Sequence, residues 1–357
     1  MMKDELMPDL IPVTIITGFL GSGKTTLLKR ILQGKHGLHG KPGLRFAVIE
    51  NEFAAESIDN ALLVQDSDEQ IVEMNNGCIC CSVRGDLIRI LGELQAKRAA
   101  GALAFDHVII ETTGLAAPGP VAQTFFAEPS VSAFYMLDAI LTVVDARHAQ
   151  QQLTEHREAQ EQVGFADRIL LSKTDLVSKE ELAALRQRLL AINCRASIQK
   201  VSFGNVPLRD ILNIGGFNLN AIVELEPDFL GDMKHRHGDG VQSFVYHQPQ
   251  PLDLVKVENF LDAIVQLFGT QLMRYKGILY IEDTPCRAVF QGVHMLMGSE
   301  LGAPWREGET RASKMVFIGR GLPQDTLIRG LDRCVAGYQA PQMGAEIAPT
   351  CSAGIAP

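Results

Sequence analysis

The feature that most constrains this chain is an eight-residue run, Gly18-Phe19-Leu20-Gly21-Ser22-Gly23-Lys24-Thr25. It follows the apolar run Val13–Thr17 and precedes a helical pattern from about Thr26 to Leu32. Strand, glycine-rich loop and helix in that order make a phosphate cradle. Glycines let backbone N–H groups wrap the phosphates, and the helix points its amino end at them. Lys24 is suited to neutralise the β- and γ-phosphates, and the Thr25 hydroxyl to bind Mg²⁺. Gly18, Gly21, Ser22, Gly23, Lys24, Thr25 and Thr26 are therefore expected to hold a nucleoside triphosphate. A chance glycine-rich turn is the alternative, but all three elements agree.

Such a loop requires an α/β fold, and the sequence around it complies. Short, β-branched apolar runs recur at Phe46–Ile49, Val108–Ile110, Ile140–Val144 and Ile169–Leu171, with helical spacing between them, as over Glu180–Ile192. This pattern predicts a mainly parallel sheet buried on both faces. The 357 residues suggest two domains. Composition changes near Glu226, so the expected division is a phosphate-binding α/β domain at 1–226, a polar linker at 227–240 and a smaller α+β domain at 241–338. In the second domain Gln242–His247, Leu279–Glu282, Arg287–Val293 and Lys314–Ile318 read as strands. Leu254–Phe268, with Asp253 as N-cap, and Gln324–Val335 read as helices. Residues 339–357, rich in Ala, Pro and Gly, read as a disordered tail.

A net charge of −9 argues against a nucleic-acid partner held by phosphate contacts. No apolar stretch suits a signal peptide or a membrane span. The expected place is the cytoplasm, with no membrane partner. There the seven cysteines should be reduced, so clustered ones point to metal or redox chemistry.

A second acidic element should stand near the Mg²⁺. Glu111 ends the run Val108–Ile110 and is followed by Thr112-Thr113-Gly114. Glu111 is the candidate catalytic carboxylate, beside Lys24 and Thr25, and Gly114 a candidate donor to the γ-phosphate. A strand-end Glu facing solvent is the alternative. Ser172-Lys173-Thr174-Asp175 follows another apolar run and resembles a guanine-reading element with Ser in first place. The Asp175 carboxylate can accept from N1–H and the 2-amino group of guanine, and the Lys173 stem can cover the base. Alternatively, Asp175 merely starts the next helix. Val201–Asn205 has a weaker claim to contact the guanine oxygen.

Cys78-Ile79-Cys80-Cys81 lies between the phosphate loop and Glu111, the interval where γ-phosphate-responsive segments sit in GTPases. Three thiolates suit Zn²⁺ and leave a fourth position open. A redox dithiol and three incidental cysteines are the alternatives. Glu52, in Asn51-Glu52-Phe53, falls where a first switch belongs and is a candidate ligand to Mg²⁺ or to the same metal; an ordinary loop Glu is the alternative. His235 and His237 read as solvated linker residues. Cys194, Cys286, Cys334 and Cys351 are scattered and read as unrelated to function.

Taken together, these motifs resemble the CobW-like P-loop GTPase metallochaperones, especially the YjiA-type members. Arg274-Tyr275-Lys276-Gly277, Phe290–Val293 and Met315–Gly319 add to the likeness, which runs to about residue 337. The resemblance implies a GTP-hydrolysing chaperone that binds zinc through Cys78, Cys80 and Cys81 and delivers it to a zinc-dependent client. It also leaves room for cobalt or nickel as the metal, and for an oligomeric state that depends on nucleotide or metal. Two readings compete with it: a metal-sensing GTPase module, and an insertion factor for cobalamin or nitrile hydratase metal. The chain departs from the family in having only His235-Arg236-His237 where many members carry a long His-rich run. No Gln stands where a water-positioning residue is expected.

Overall fold

The computed structural model describes residues 10–33, 44–50, 62–64, 83–217 and 240–338, with the backbone alone at 62–64 and 83. The first part is a seven-stranded sheet. Its strands are β1 (Ile11–Thr17), β2 (Phe46–Glu50), β3 (Leu62–Val64), β4 (His107–Glu111), β5 (Tyr135–Asp145), β6 (Arg168–Ser172) and β7 (Ser197–Lys200). They lie in the order β3-β2-β4-β1-β5-β6-β7. Six run parallel, and β3 pairs antiparallel with β2 at one edge. The expected mainly parallel sheet is thus present, widened by β3, only three residues long, and by β7, whose residues Ser197–Lys200 are too polar to stand out as an apolar run.

Helices cover both faces of this sheet. One core joins β1, β2 and β4 to α1 (Lys24–Gln33) through Ile16, Leu27, Leu28, Ile31, Val48 and Ile109. The opposite core collects α2 (Val83–Ala99), α3 (Gly119–Ala127), α6 (Arg157–Phe165) and α7 (Lys179–Ile192). The short helices α4 (Pro129–Ser132) and α5 (Ala149–Glu155) flank β5. Alternate residues of each strand feed the two cores, which is why the central strands read as unbroken apolar runs.

The second part is a five-stranded antiparallel sheet: β8 (Val241–Gln248), β9 (Leu272–Leu279), β10 (Cys286–Val293), β11 (Leu296–Pro304) and β12 (Ser313–Arg320), ordered β11-β10-β9-β12-β8. Helices α8 (Leu254–Phe268) and α9 (Gln324–Asp332) pack on one face through Leu261, Ile264, Leu327 and Leu331 against Tyr275 and Phe317. Asp253 caps α8 as expected, its carboxylate accepting from Lys256 N at 3.1 Å. The other face puts Val241, Met273, Val293 and Ile318 into the first domain's core. Period-two alternation therefore serves two cores at once.

Two expectations need correction here. The strand expected at Leu279–Glu282 lies at Leu272–Leu279. Arg274 and Lys276 break the apolar alternation, yet both are only 3% exposed, because their partners come from the other domain. Strand β11 was not foreseen, since it carries two glycines and is largely exposed at the sheet edge. Helix α9 stops at Asp332 rather than Val335, where Val335 forms a β-bridge with Leu252. The expected linker at 227–240, apart from Gly240, and the tail at 339–357 lie outside the described residues. Among the described residues no helix is long and apolar enough to cross a membrane.

Candidate nucleotide site

β1 is flanked by β4 and β5, so three strand ends meet at the carboxyl edge of the sheet. In open α/β sheets this edge is where ligands sit. The loop after β1 turns sharply. Gly18, Gly21 and Gly23 have φ of 142°, 73° and 105°. At Gly18 the requirement is doubled, because a Cβ there would lie 2.2 Å from the Val143 carbonyl oxygen of β5. Only glycine satisfies both the dihedral and the close approach. Helix α1 then begins at Lys24 and presents its first N–H groups to the loop.

Lys24 is 8% exposed, and its Nζ lies 3.5 Å from the Phe19 carbonyl, the edge of hydrogen-bond range. Burial pushes its ammonium below the ordinary value, against the raising charge of Glu111. Phosphate oxygens are the partners that would reverse that cost. The Ser22 hydroxyl is buried and has no hydrogen-bond partner among the described residues. It is a second polar group in the loop that a phosphate oxygen would satisfy.

The Thr25 hydroxyl donates to Glu111 Oε1 at 2.8 Å. Glu111 is 9% exposed and ends β4 in register with Ile16 of β1, so it faces the loop rather than solvent. A hydroxyl and a carboxylate side by side at the phosphate loop are the hard oxygens that Mg²⁺ selects. The residues present fit that ion, and Thr25 and Glu111 are the ones that would hold it. The loop after Glu111 is fastened from both sides. Thr112 Oγ1 donates to Thr17 Oγ1 at 2.8 Å. Gln162 of α6 donates to the carbonyls of Gly114 and Ala116, each at 3.1 Å. A Cβ on Gly114 would lie 2.8 Å from Leu20 N, so this loop rests on the phosphate loop.

The Ser172–Asp175 segment is tied to the same place. Ser172 Oγ donates to the Ser22 carbonyl at 2.6 Å. Lys173, held left-handed at φ 53°, donates to the Gly21 carbonyl at 2.9 Å and to Asp145 Oδ2 at 2.8 Å. Asp145 also accepts from Arg147 N and pairs with His148 Nδ1. Burial raises the Asp145 carboxyl, but Lys173, His148 and Arg147 outweigh it and hold it below the usual range. Asp175 is exposed on the short turn Thr174–Leu176. It does not cap the next helix: Ser178 does, in a complete capping box with Glu181. Gly204 packs on α1, where a Cβ would lie 2.8 Å from the Thr26 carbonyl. Two segments suited to a base thus adjoin one suited to phosphates.

The first domain matches the family model "CobW/HypB/UreG, nucleotide-binding domain" over residues 12–200. The chain belongs to this family. Residues 241–335 match the "Cobalamin synthesis protein cobW C-terminal domain". The zinc chaperone YjiA of Escherichia coli is 40% identical over 320 residues, covering 89% of this chain and 96% of that protein. The zinc chaperone CobW of Pseudomonas aeruginosa is 31% identical over 360 residues, covering 91% and 92%. The crystal structure of Zn(II)-bound YjiA GTPase from E. coli superposes with a TM-score of 0.73 at 36% identity, covering 92% and 99%.

For this CobW-family chain, the structure adds residues that the sequence reading passed over. Asp145 ends an apolar run as Glu111 does, a signal available in the sequence. Gln162 gave no such signal, since it sits inside an ordinary helical pattern. Cys78, Cys80, Cys81 and Glu52 lie outside the described residues, as do His235 and His237. Among the described residues no three His, Cys, Asp or Glu side chains gather as a metal site. The described cysteines Cys194, Cys286 and Cys334 are free thiols far apart in the sequence.

Proposed function

We propose that the chain is a GTP-hydrolysing zinc metallochaperone, working in the cytoplasm. On this reading 1–226 is the GTPase domain, 227–240 a linker and 241–338 the CobW-like domain. The observation that carries the nucleotide half is the pair of bonds from Ser172 and Lys173 to the phosphate-loop carbonyls. They bring a guanine-reading segment against a phosphate-reading one.

Gly18, Gly21, Ser22 and Gly23 wrap the phosphates, with Thr26 at the start of α1. Lys24 neutralises charge on the transferring phosphoryl group. Thr25 and Glu111 would hold Mg²⁺, which would supply charge neutralisation at the phosphates. The Gly114 N–H reports whether the γ-phosphate is present. Asp175 reads guanine while Lys173 covers the base. Intrinsic turnover is slow, because among the described residues no arginine finger or catalytic Gln is evident.

Zinc is the cargo, taken by Cys78, Cys80 and Cys81 with Glu52 as an accessory ligand, and passed to a zinc-dependent client. The names of the bacterial relatives, zinc chaperones, support zinc over cobalt. The test is a competition titration of Zn²⁺ against a chromophoric chelator in the apo, GDP and GTP-analogue states. Coupling of the two sites predicts affinities that differ by about 5- to 150-fold between nucleotides. The Cys80→Ser, Cys81→Ser double variant should lose tight binding and the proton release that thiolate ligation brings. Full zinc affinity in that variant would show the ligand set to be wrong.

A further inference from the structure

At the edge of the parallel sheet opposite the phosphate loop, the second domain closes over a cavity of about 70 Å³. That is room for a few waters or one small polyatomic ion. Its wall is formed by Asp167, Asn193, Arg195 and Gly216 from the first domain and by Arg274 and Lys276 from β9. Arg274 and Lys276 stand two apart on one strand and so share a face.

The charges on this wall do not balance. Arg274 is satisfied: it donates to the Phe165 carbonyl at 2.9 Å and to Asp167 Oδ1 at 2.5 Å, and lies 4.2 Å over the Phe217 ring. Among the described residues Lys276 Nζ reaches only the Gly216 carbonyl, at 2.6 Å. Among the described residues nothing accepts from the Arg195 guanidinium. Two guanidiniums and the Lys276 amine therefore share a single carboxylate, and Asp167 is already engaged by Arg274 and by Ile140 N. The nearby Asp138 is turned to Gly215 N and Thr14. Lys276 is buried and Arg195 half-buried; shielding positive charge from water is expensive, and an amine and a guanidinium with unused donors call for an acceptor.

We propose that this seam is a binding site for one small tetrahedral oxyanion, held by Arg195 and Lys276 and bridging the two domains. The groups facing Lys276 define how binding couples to pH. Burial, then Arg195 and Arg274, bring its ammonium down to about 6, against the raising pull of Asp167. Near pH 7 the amine is therefore mostly neutral, and an arriving anion draws a proton onto it. Affinity should fall as pH rises from 6 to 8.

Sulfate is the probe, because it does not itself titrate in this range. Calorimetric titration in two buffers of different ionisation enthalpy should show saturable binding with proton uptake. Sodium chloride at matched ionic strength should not reproduce it. Binding should survive Lys24→Ala, which removes the phosphate-loop cation, and weaken roughly tenfold or more in Arg195→Gln. Arg195→Lys should restore part of it, and Lys276→Met should abolish the proton uptake. Glycerol phosphate in place of sulfate separates the sources of this chemistry. Equal binding makes phosphoryl groups the ligand, and failure to bind makes it the free ion. Sulfate binding that Lys24→Ala eliminates, or that folded Arg195→Gln leaves unchanged, overturns the proposal.

Discussion

Thr25 and Glu111, 86 residues apart, meet at 2.8 Å between hydroxyl and carboxylate. The contact joins the first helical turn after the phosphate loop to the end of the neighbouring strand. It sets two hard oxygens beside the phosphate loop, where they would hold a divalent cation. Thr25→Val and Glu111→Gln should each lower turnover by about 10²-fold or more at saturating Mg²⁺ and GTP, since each removes support for a charge-stabilising ion. Steady-state phosphate release measures it. Full turnover in both variants would remove these residues from the cation site.

Base selectivity should rest on Asp175. GTP should bind at least about 10²-fold more tightly than ATP, because a carboxylate built to accept two hydrogen bonds is left unpaired by adenine. Asp175→Asn should weaken GTP and favour xanthosine triphosphate. Fluorescent-nucleotide competition reads all three. Equal GTP and ATP affinities in the native chain would contradict the assignment.

Gly18→Ala tests the loop backbone. The added methyl would sit 2.2 Å from the Val143 carbonyl, at a φ of 142°. Strain and overpacking together should cost at least about 2 kcal/mol of stability and eliminate nucleotide binding. Urea unfolding followed by circular dichroism gives the first number. A change under 0.5 kcal/mol would mean that the loop relaxes freely.

Buried His107 predicts acid sensitivity. Its ring is 1% exposed and bonded to Thr14 Oγ1 at 2.8 Å. Burial lowers its pKa from 6.5 to about 4. The unfolded chain therefore binds a proton that the native state refuses between those values. Stability should fall as pH drops from 6.5 to 4 and level off below, by up to about 3 kcal/mol from this group. His107→Gln, compared with the native chain by urea unfolding across that window, should flatten the profile by the same amount. Parallel profiles would assign the acid loss elsewhere.

Much of the candidate site's local structure was readable because its signals are local. A P-loop is eight contiguous residues, and the acidic residue closing an apolar run, Val108–Glu111, is a pattern of four. The same holds for the capped helix at Leu254–Phe268, where one side chain and one amide three residues on make the cap. Reading failed where a side chain's partner is distant. Arg274 and Lys276 spoil a strand pattern on paper, yet their partners Asp167 and Gly216 lie 107 and 60 residues away.

The sequence by itself determined the phosphate loop, the parallel strand set and the family, because backbone dihedrals and hydrophobic periodicity are properties of neighbouring residues. Tertiary structure alone decided how the loops are fastened. Lys173 bonds to Gly21 across 152 residues, and Gln162 holds the Gly114 loop from a separate helix. It also decided that Arg195, Arg274 and Lys276 share one cavity wall at the domain seam. A charge's energy depends on what surrounds it in space, and in this chain those surroundings come from segments that the sequence order keeps apart.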